Sequence, residues 1–310
     1  MTLSVVSTLY RSAPSLEEFY GRVKQAAEAL TKDYEIVLVN DGSPDDSLAL
    51  ALALYERDAR VRVVDLSRNF GHHKAIMTGL AHARGDMVFL IDSDLEEEPE
   101  LLARFYEERR RTGADVVYGV QEQRKGSWFE RWSGETFFTL FNLFSNYPLP
   151  HNLITVRLMT RRYVNALIAH RERETVVAGL WVLTGFLQVA LAVKKHSRSP
   201  TTYGFGRKIG LLVQSVTAFS DKPLTMIFYM GCAISGVAVA AALYLIIRRV
   251  FFGVLLEGWP SLIVSIWLLG GATIFCIGIL GIYLSKIFIE TKQRPYTIVR
   301  QLYERGAGPS

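Results

Sequence analysis

Met87-Val88-Phe89-Leu90-Ile91-Asp92-Ser93-Asp94 decides how this 310-residue chain is read. Five consecutive apolar residues, preceded by Gly85-Asp86 and followed by acids, predict a strand buried on both faces. Asp92 and Asp94 then stand one residue apart where that strand should end. Open α/β sheets bind ligands in the crevice beyond the carboxyl ends of their strands. Two carboxylates placed there suit a hard divalent cation, Mg2+ or Mn2+. An acidic surface loop is the plainer reading of the same string, because Glu96, Glu97, Glu98 and Glu100 follow.

Outward from this strand, the first 120 residues alternate strand and helix patterns. Ser4 to Leu9 reads as a short apolar strand. Ser15-Leu16-Glu17-Glu18 has the form of a capping box, and Leu16, Phe19, Val23, Ala27 and Leu30 follow at helical spacing. Further strands are expected at Glu35 to Val39, Val61 to Leu66 and Asp115 to Tyr118, with helices beginning near Asp46, His73 and Pro99. Asn40-Asp41-Gly42-Ser43-Pro44 is a turn cluster. This alternation predicts an α/β fold, a mainly parallel sheet with helices on both faces. Past residue 120 the pattern changes. Phe129, Trp132, Phe137, Leu140, Phe141, Leu143 and Phe144 share one broad helical face, which suits either a buried core helix or a helix in the membrane interface.

Half of the residues are apolar, and the excess lies towards the C-terminus. No charged residue occurs from Leu224 to Ile247 or from Gly258 to Ser285. Each run exceeds the roughly 20 residues that carry a helix across the hydrocarbon core, so two transmembrane helices are expected, at about 224–247 and 261–285. The residues before them are expected to form an N-terminal domain, 1–205, and a juxtamembrane amphipathic segment, 206–222; residues 291–310 are expected to form a tail. No basic, apolar, cleavable pattern opens the chain, so the N-terminal domain is expected in the cytoplasm and the protein in the cytoplasmic membrane as a multi-pass species. Arg207, Lys208 and Lys222 before the first span, and Lys286, Lys292, Arg294, Arg300 and Arg305 after the second, agree with that orientation; Arg248 and Arg249 between the spans oppose it. The net charge of +5 fits an anionic membrane surface and not a nucleic-acid partner. Cys232 and Cys276 both fall inside the spans, so neither a disulfide framework nor a zinc site is expected.

Several segments together resemble family 2 glycosyltransferases of GT-A fold, and more narrowly the polyisoprenyl-phosphate glycosyltransferases, which include dolichol-phosphate mannose synthases and bacterial undecaprenyl-phosphate sugar transferases. Asn40-Asp41-Gly42-Ser43 resembles that family's Asp-Asp-Gly-Ser turn, and Arg68-Asn69-Phe70-Gly71 its Arg-Asn-(Phe/Tyr)-Gly segment. Asp92-Ser93-Asp94-Leu95 with Pro99-Glu100 is similar to its Asp-Ala-Asp-Leu-Gln-x-Pro-Pro-Glu, and Arg157-Leu158-Met159 to its Phe-Arg-Leu-Met. Glu290-Thr291-Lys292-Gln293-Arg294-Pro295-Tyr296 matches the tail after the second span.

The resemblance implies an inverting transfer of one sugar from a UDP- or dTDP-sugar, with glucose the first choice, to polyprenyl phosphate. Thr8, Tyr10, Asp41, Ser43, Asn69, Gly71, His73, Asp92 and Ser93 would then form the nucleotide-sugar site, with Asp41 accepting hydrogen bonds from a pyrimidine base. Asp92 and Asp94 would hold the metal, whose Lewis acidity neutralises the leaving diphosphate. Asp94 and Arg157 are the expected catalytic residues. Arg157 and Arg198 are the expected ligands of the acceptor phosphate, since guanidinium pairs bidentately with phosphate. A homo-oligomer is expected. Three segments depart from the family: Thr8-Leu9-Tyr10-Arg11-Ser12 replaces Pro-x-Tyr-Asn-Glu, Ile154-Thr155 replaces Gly-Asp, and Arg198-Ser199-Pro200-Thr201-Thr202-Tyr203-Gly204 replaces Arg-x-x-Gly-x-Ser-Lys-Tyr. They keep open a changed donor or acceptor, or a membrane scaffold that has lost turnover. A processive polysaccharide synthase fits less well, because Trp128-Phe129-Glu130-Arg131-Trp132 lacks the Gln of its Gln-x-x-Arg-Trp motif.

Overall fold

The computed structural model describes residues 1–121, 152–173, 177–194, 217, 220–252 and 258–305. The aromatic stretch 128–144, Arg198 and most of the juxtamembrane segment lie outside the described residues. Within them the chain runs β1 (Leu3–Leu9), α1 (Leu16–Leu30), β2 (Tyr34–Asn40), α2 (Ser47–Arg57), β3 (Val61–Leu66), α3 (His72–His82), β4 (Met87–Leu90), α4 (Leu101–Thr112) and β5 (Val116–Gln121). It continues with β6 (Leu153–Thr160), α5 (Arg161–Ile168), α6 (Val177–Leu183), β7 (Gln188–Val193), α7 (Lys222–Phe252), α8 (Trp259–Thr291) and β8 (Val299–Tyr303).

All eight strands join one sheet in the order β7-β5-β6-β4-β1-β2-β3-β8. The central strands β4, β1, β2 and β3 are parallel, β7 is parallel to β5, and β6 and β8 pair antiparallel with their neighbours. The mainly parallel α/β architecture expected from the sequence is present. Every residue of β1 and β4 is buried, which is why both read as unbroken apolar runs with small polar residues between. Alternate residues feed two cores. Val5 packs with Phe19, Phe89 and Phe105 on one face, and Val6 packs with Ile76, Leu80 and Tyr163 on the other. Gly79 lets α3 lie directly on the sheet, because a Cβ there would come within 2.6 Å of the Val6 side chain.

Chain direction reverses at the centre of this sheet. From β1 the chain steps outward to β2 and β3, then returns through α3 to β4 on the other side of β1. Such a switch point opens a crevice at the carboxyl ends of the two strands it separates. Here those ends carry Thr8 and the Asp92-Ser93-Asp94 turn.

Helices α7 and α8 hold 31 and 33 residues, or about 46 and 50 Å at the rise of an α-helix. Lys222–Ala241 and Ser265–Thr291 are long and apolar enough to cross a membrane, and none of either stretch is buried within the protein. Large side chains such as Phe228, Trp267 and Ile274 are mostly exposed. The Tyr283 hydroxyl donates to the Ser220 carbonyl at 2.7 Å, tying α8 to the root of α7. Beyond α8 the chain re-enters the sheet as β8, where Val64 pairs with Leu302 and Ser67 N–H donates to Ile298 O. The division that set 291–310 apart as a tail is therefore amended: residues 299–303 belong to the sheet. Glu304 fixes this return by pairing with the buried Arg62 and with Arg84, and Arg300 approaches Asp65 at 3.5 Å.

Candidate active site

Beyond β4, Ile91 N–H still donates to Val6 O, so the sheet geometry persists to the first acid. Asp92 is partly buried, Ser93 is buried and Asp94 is exposed. The Ser93 hydroxyl donates to Thr8 O at 2.9 Å and meets the Ser12 hydroxyl at 2.8 Å, locking the β1 and β4 ends together. An Asp94 oxygen accepts the Glu96 N–H at 2.9 Å. Leu95 then takes a left-handed conformation, φ 59°, which costs an L-residue energy. Its side chain is 3% exposed in the first core, and that burial holds the strained turn and directs Asp94 outward.

His72 opens α3 and faces this turn. Its Nδ1 lies 3.1 Å from Thr8 Oγ1 and its Nε2 lies 3.5 Å from an Asp92 oxygen. His73, expected at the nucleotide-sugar site, follows it on α3, and the two rings sit 6.0 Å apart. Gly71, with φ 98°, turns the loop into α3.

Asp41 is placed differently from the expectation that it meets a base. Only 2% exposed, it accepts the Phe70 N–H at 2.7 Å and the Gly71 N–H at 3.0 Å, one on each carboxylate oxygen. Burial pushes its pKa up, and those two N–H groups oppose the shift. Asp41 therefore anchors the β3–α3 loop from behind. Gly42, with φ 57°, allows the close approach: a Cβ there would lie 2.4 Å from Asn69 N. Asn69 is exposed on that loop. Ser43 accepts the Arg11 N–H at 2.7 Å and donates to Asp45 at 2.5 Å, which braces the segment carrying the exposed Tyr10.

Arg157 departs most from its expected role. It pairs with Leu90 across β4 and β6, close behind the acids, but it is 0% exposed. Its Nε and Nη2 donate to the carbonyls of Thr155 and Ile154, and the guanidinium stacks on Trp181. A guanidinium so enclosed offers no open fork to a lipid phosphate. Burial draws its pKa down to about 9, while Tyr163, Tyr118 and Asp92 favour the charged form, so it remains a cation at neutral pH behind Asp92. Arg198, the other expected ligand of the acceptor phosphate, lies outside the described residues.

Asp92 and Asp94 offer carboxylate oxygens, the donor type that hard cations take. Among the described residues no cluster of three or more His, Cys, Asp or Glu side chains is grouped for a metal. Asp92 and Asp94 instead supply two carboxylates at an open edge, and Mg2+ characteristically takes one or two carboxylates plus substrate phosphates.

Residues 4–168 match the family model for glycosyl transferase family 2. The chain belongs to that family. A Mycobacterium tuberculosis (strain CDC 1551 / Oshkosh) protein named as a glycosyltransferase is 56% identical over 303 residues, covering 98% of this chain and 89% of the relative. The prophage bactoprenol glucosyl transferase homolog of Escherichia coli (strain K12) is 32% identical over 306 residues, with 97% and 99% of the two chains covered. The bactoprenol glucosyl transferase of Shigella phage SfX is 32% identical over 304 residues, again across 97% and 99%. The matched family region holds the strands from β1 to β6, and with them Asp92, Asp94 and His72.

Proposed function

We propose that this glycosyltransferase moves one sugar from a UDP- or dTDP-sugar to polyprenyl phosphate at a membrane surface, with inversion at the anomeric carbon. The observation that carries the reading is the acid pair Asp92 and Asp94 at the β1/β4 switch point, on a chain that aligns over nearly its whole length with bactoprenol glucosyl transferases. Two unburied apolar helices, of which α8 leads back into the catalytic sheet through β8, are long enough to give the membrane attachment that a lipid acceptor requires.

In the proposed displacement an oxygen of the lipid phosphate attacks the anomeric carbon. The bond from that carbon to the diphosphate breaks, and its electron pair leaves with the nucleoside diphosphate. A phosphate monoester is already anionic at neutral pH, so the attack needs no proton-abstracting residue. Asp92 and Asp94 would hold Mg2+ or Mn2+, which supplies Lewis-acid neutralisation of the leaving diphosphate. His72 holds Thr8 and Asp92 in register, and buried Arg157 offsets the negative charge of the acids from behind.

The test incubates membranes bearing the full chain with undecaprenyl phosphate and a panel of radiolabelled nucleotide sugars, followed by lipid extraction. Label in a mild-acid-labile lipid from a UDP- or dTDP-sugar is the expected result. Absence of label across the panel, with the protein folded and in the membrane, refutes the reading.

A further inference from the structure

At the end of α8 the chain makes a tight corner. Lys292 closes the helix, Gln293 adopts a left-handed conformation at φ 47°, and Pro295 prevents the helix from resuming. The corner sets Lys292 and Arg294 opposite Arg68 of the β3–α3 loop, Lys74 of α3 and Arg173 of the segment after α5. Together they line a cavity of about 290 Å³ whose apolar wall includes Phe288 at the foot of α8.

Among the described residues none of these five cations forms an ion pair. Arg68 donates to Asn69 O and lies over the Phe70 ring, and Lys292 lies over the Phe288 ring. Arg173 donates from Nη1 to Arg171 O, yet its buried Nε meets no hydrogen-bond acceptor. Two acids lie nearby. Glu290 accepts the Arg173 backbone N–H, and burial followed by the Glu290 charge pushes the Glu172 carboxyl up towards its neutral form. Positive charge thus dominates a partly apolar space. Like charges gathered at a protein surface repel one another, and a bound anion would relieve that repulsion. The apolar wall runs straight into the exposed surface of α8, where Leu284, Ile287 and Phe288 are each more than half exposed.

We propose that this cavity binds the phosphate headgroup of a membrane lipid, with the lipid chain lying along α8. The proposal rests on the reading above that α8 enters the bilayer, and it moves the acceptor-side phosphate contact away from Arg157. One lipid phosphate chemistry covers both a polyprenyl phosphate and a phospholipid headgroup, and the test separates them.

The full chain is placed in phosphatidylcholine nanodiscs without donor and titrated with polyprenyl monophosphate, phosphatidic acid or inorganic phosphate in separate arms. Lys292→Gln and Arg294→Gln should each weaken lipid binding about ten- to a hundredfold, the size of one charge-assisted phosphate contact. Arg110→Gln, exposed on α4 across the sheet, should leave binding unchanged. Loss confined to polyprenyl phosphate identifies the acceptor as occupant, and equal loss for phosphatidic acid identifies a general lipid phosphate site; inorganic phosphate should bind far more weakly in every protein. Lys292 and Arg294 are exposed, so both variants should melt at the wild-type temperature, and Lys74→Gln provides a third variant. Unchanged affinity for both lipids, or equally tight binding of inorganic phosphate, overturns the proposal. No turnover is read, so failure of sugar transfer would count against the proposed reaction and leave this result standing.

Discussion

Asp92 and Asp94 were readable because a run of five apolar residues has few structural meanings and an abrupt acidic end marks its carboxyl edge. The partners of single side chains were less readable. The approach of His72 to Thr8 and Asp92 is not legible in the sequence, because it joins side chains 64 and 20 residues apart that only the sheet brings together. Asp41 looks like a free acid in a turn motif until the β3–α3 loop is seen folded over it. Asp41→Ala should leave the Phe70 and Gly71 N–H groups unpaired and cost about 2 kcal/mol or more in denaturant unfolding of the detergent-solubilised protein. Unchanged stability would restore Asp41 to an open ligand role. Asp45 gives a pH signature. Burial alone would raise its pKa, but hydrogen bonds from Ser43, Ser47 and Ala13 outweigh that and lower it to about 2 from 3.8. Its ionised form is thus favoured by folding, so its stabilisation is present above pH 4 and disappears as pH falls towards 2. With solvent screening the effect is on the order of 1 kcal/mol. Asp45→Asn should lose that much at neutral pH and match wild type near pH 2; a constant offset at all pH values would contradict the assignment.

At the scale of elements, the first five strands and four helices follow from period and turn chemistry. The later strands do not. Arg157 interrupts the apolar pattern of β6, although it is buried there against Trp181. β8 is a five-residue edge strand with Arg300 and Gln301 exposed, so its sequence looks like a charged tail. What holds it is tertiary: Glu304 reaches the buried Arg62. Glu304→Gln should cost about 2 kcal/mol, less than the roughly 3–5 kcal/mol for isolating a buried charge, because Arg62 keeps Glu35 and His82 O. Limited proteolysis should then cut the chain after Lys292 faster than in wild type. A variant as stable and as resistant as wild type would mean that β8 is held by its backbone ladder alone.

For the molecule as a whole, the β8 return constrains how α7 and α8 meet a membrane. α8 leads back into the catalytic sheet through β8, and the Tyr283–Ser220 hydrogen bond ties the start of α7 to that end of α8, so both outer ends stand on the catalytic side. A reporter fused after Ser310 should share a compartment with the catalytic domain, and one inserted near Gly258 should report the opposite side. Two reporters on one side would rule out the hairpin. The same chain carries the switch-point acids and two apolar helices long enough to cross a membrane, and it aligns almost fully with bactoprenol glucosyl transferases. The claim at the centre of this account is that the acids at the β4 end carry sugar transfer to a lipid phosphate. The most direct measurement is the initial rate of lipid-linked sugar formation from undecaprenyl phosphate, for wild type with Mg2+, wild type in EDTA, and Asp94→Ala with Mg2+. The account predicts product in the first case and loss of nearly all of it in the other two, with the variant folded and membrane-bound. Full turnover by Asp94→Ala, or by wild type in EDTA, would contradict it.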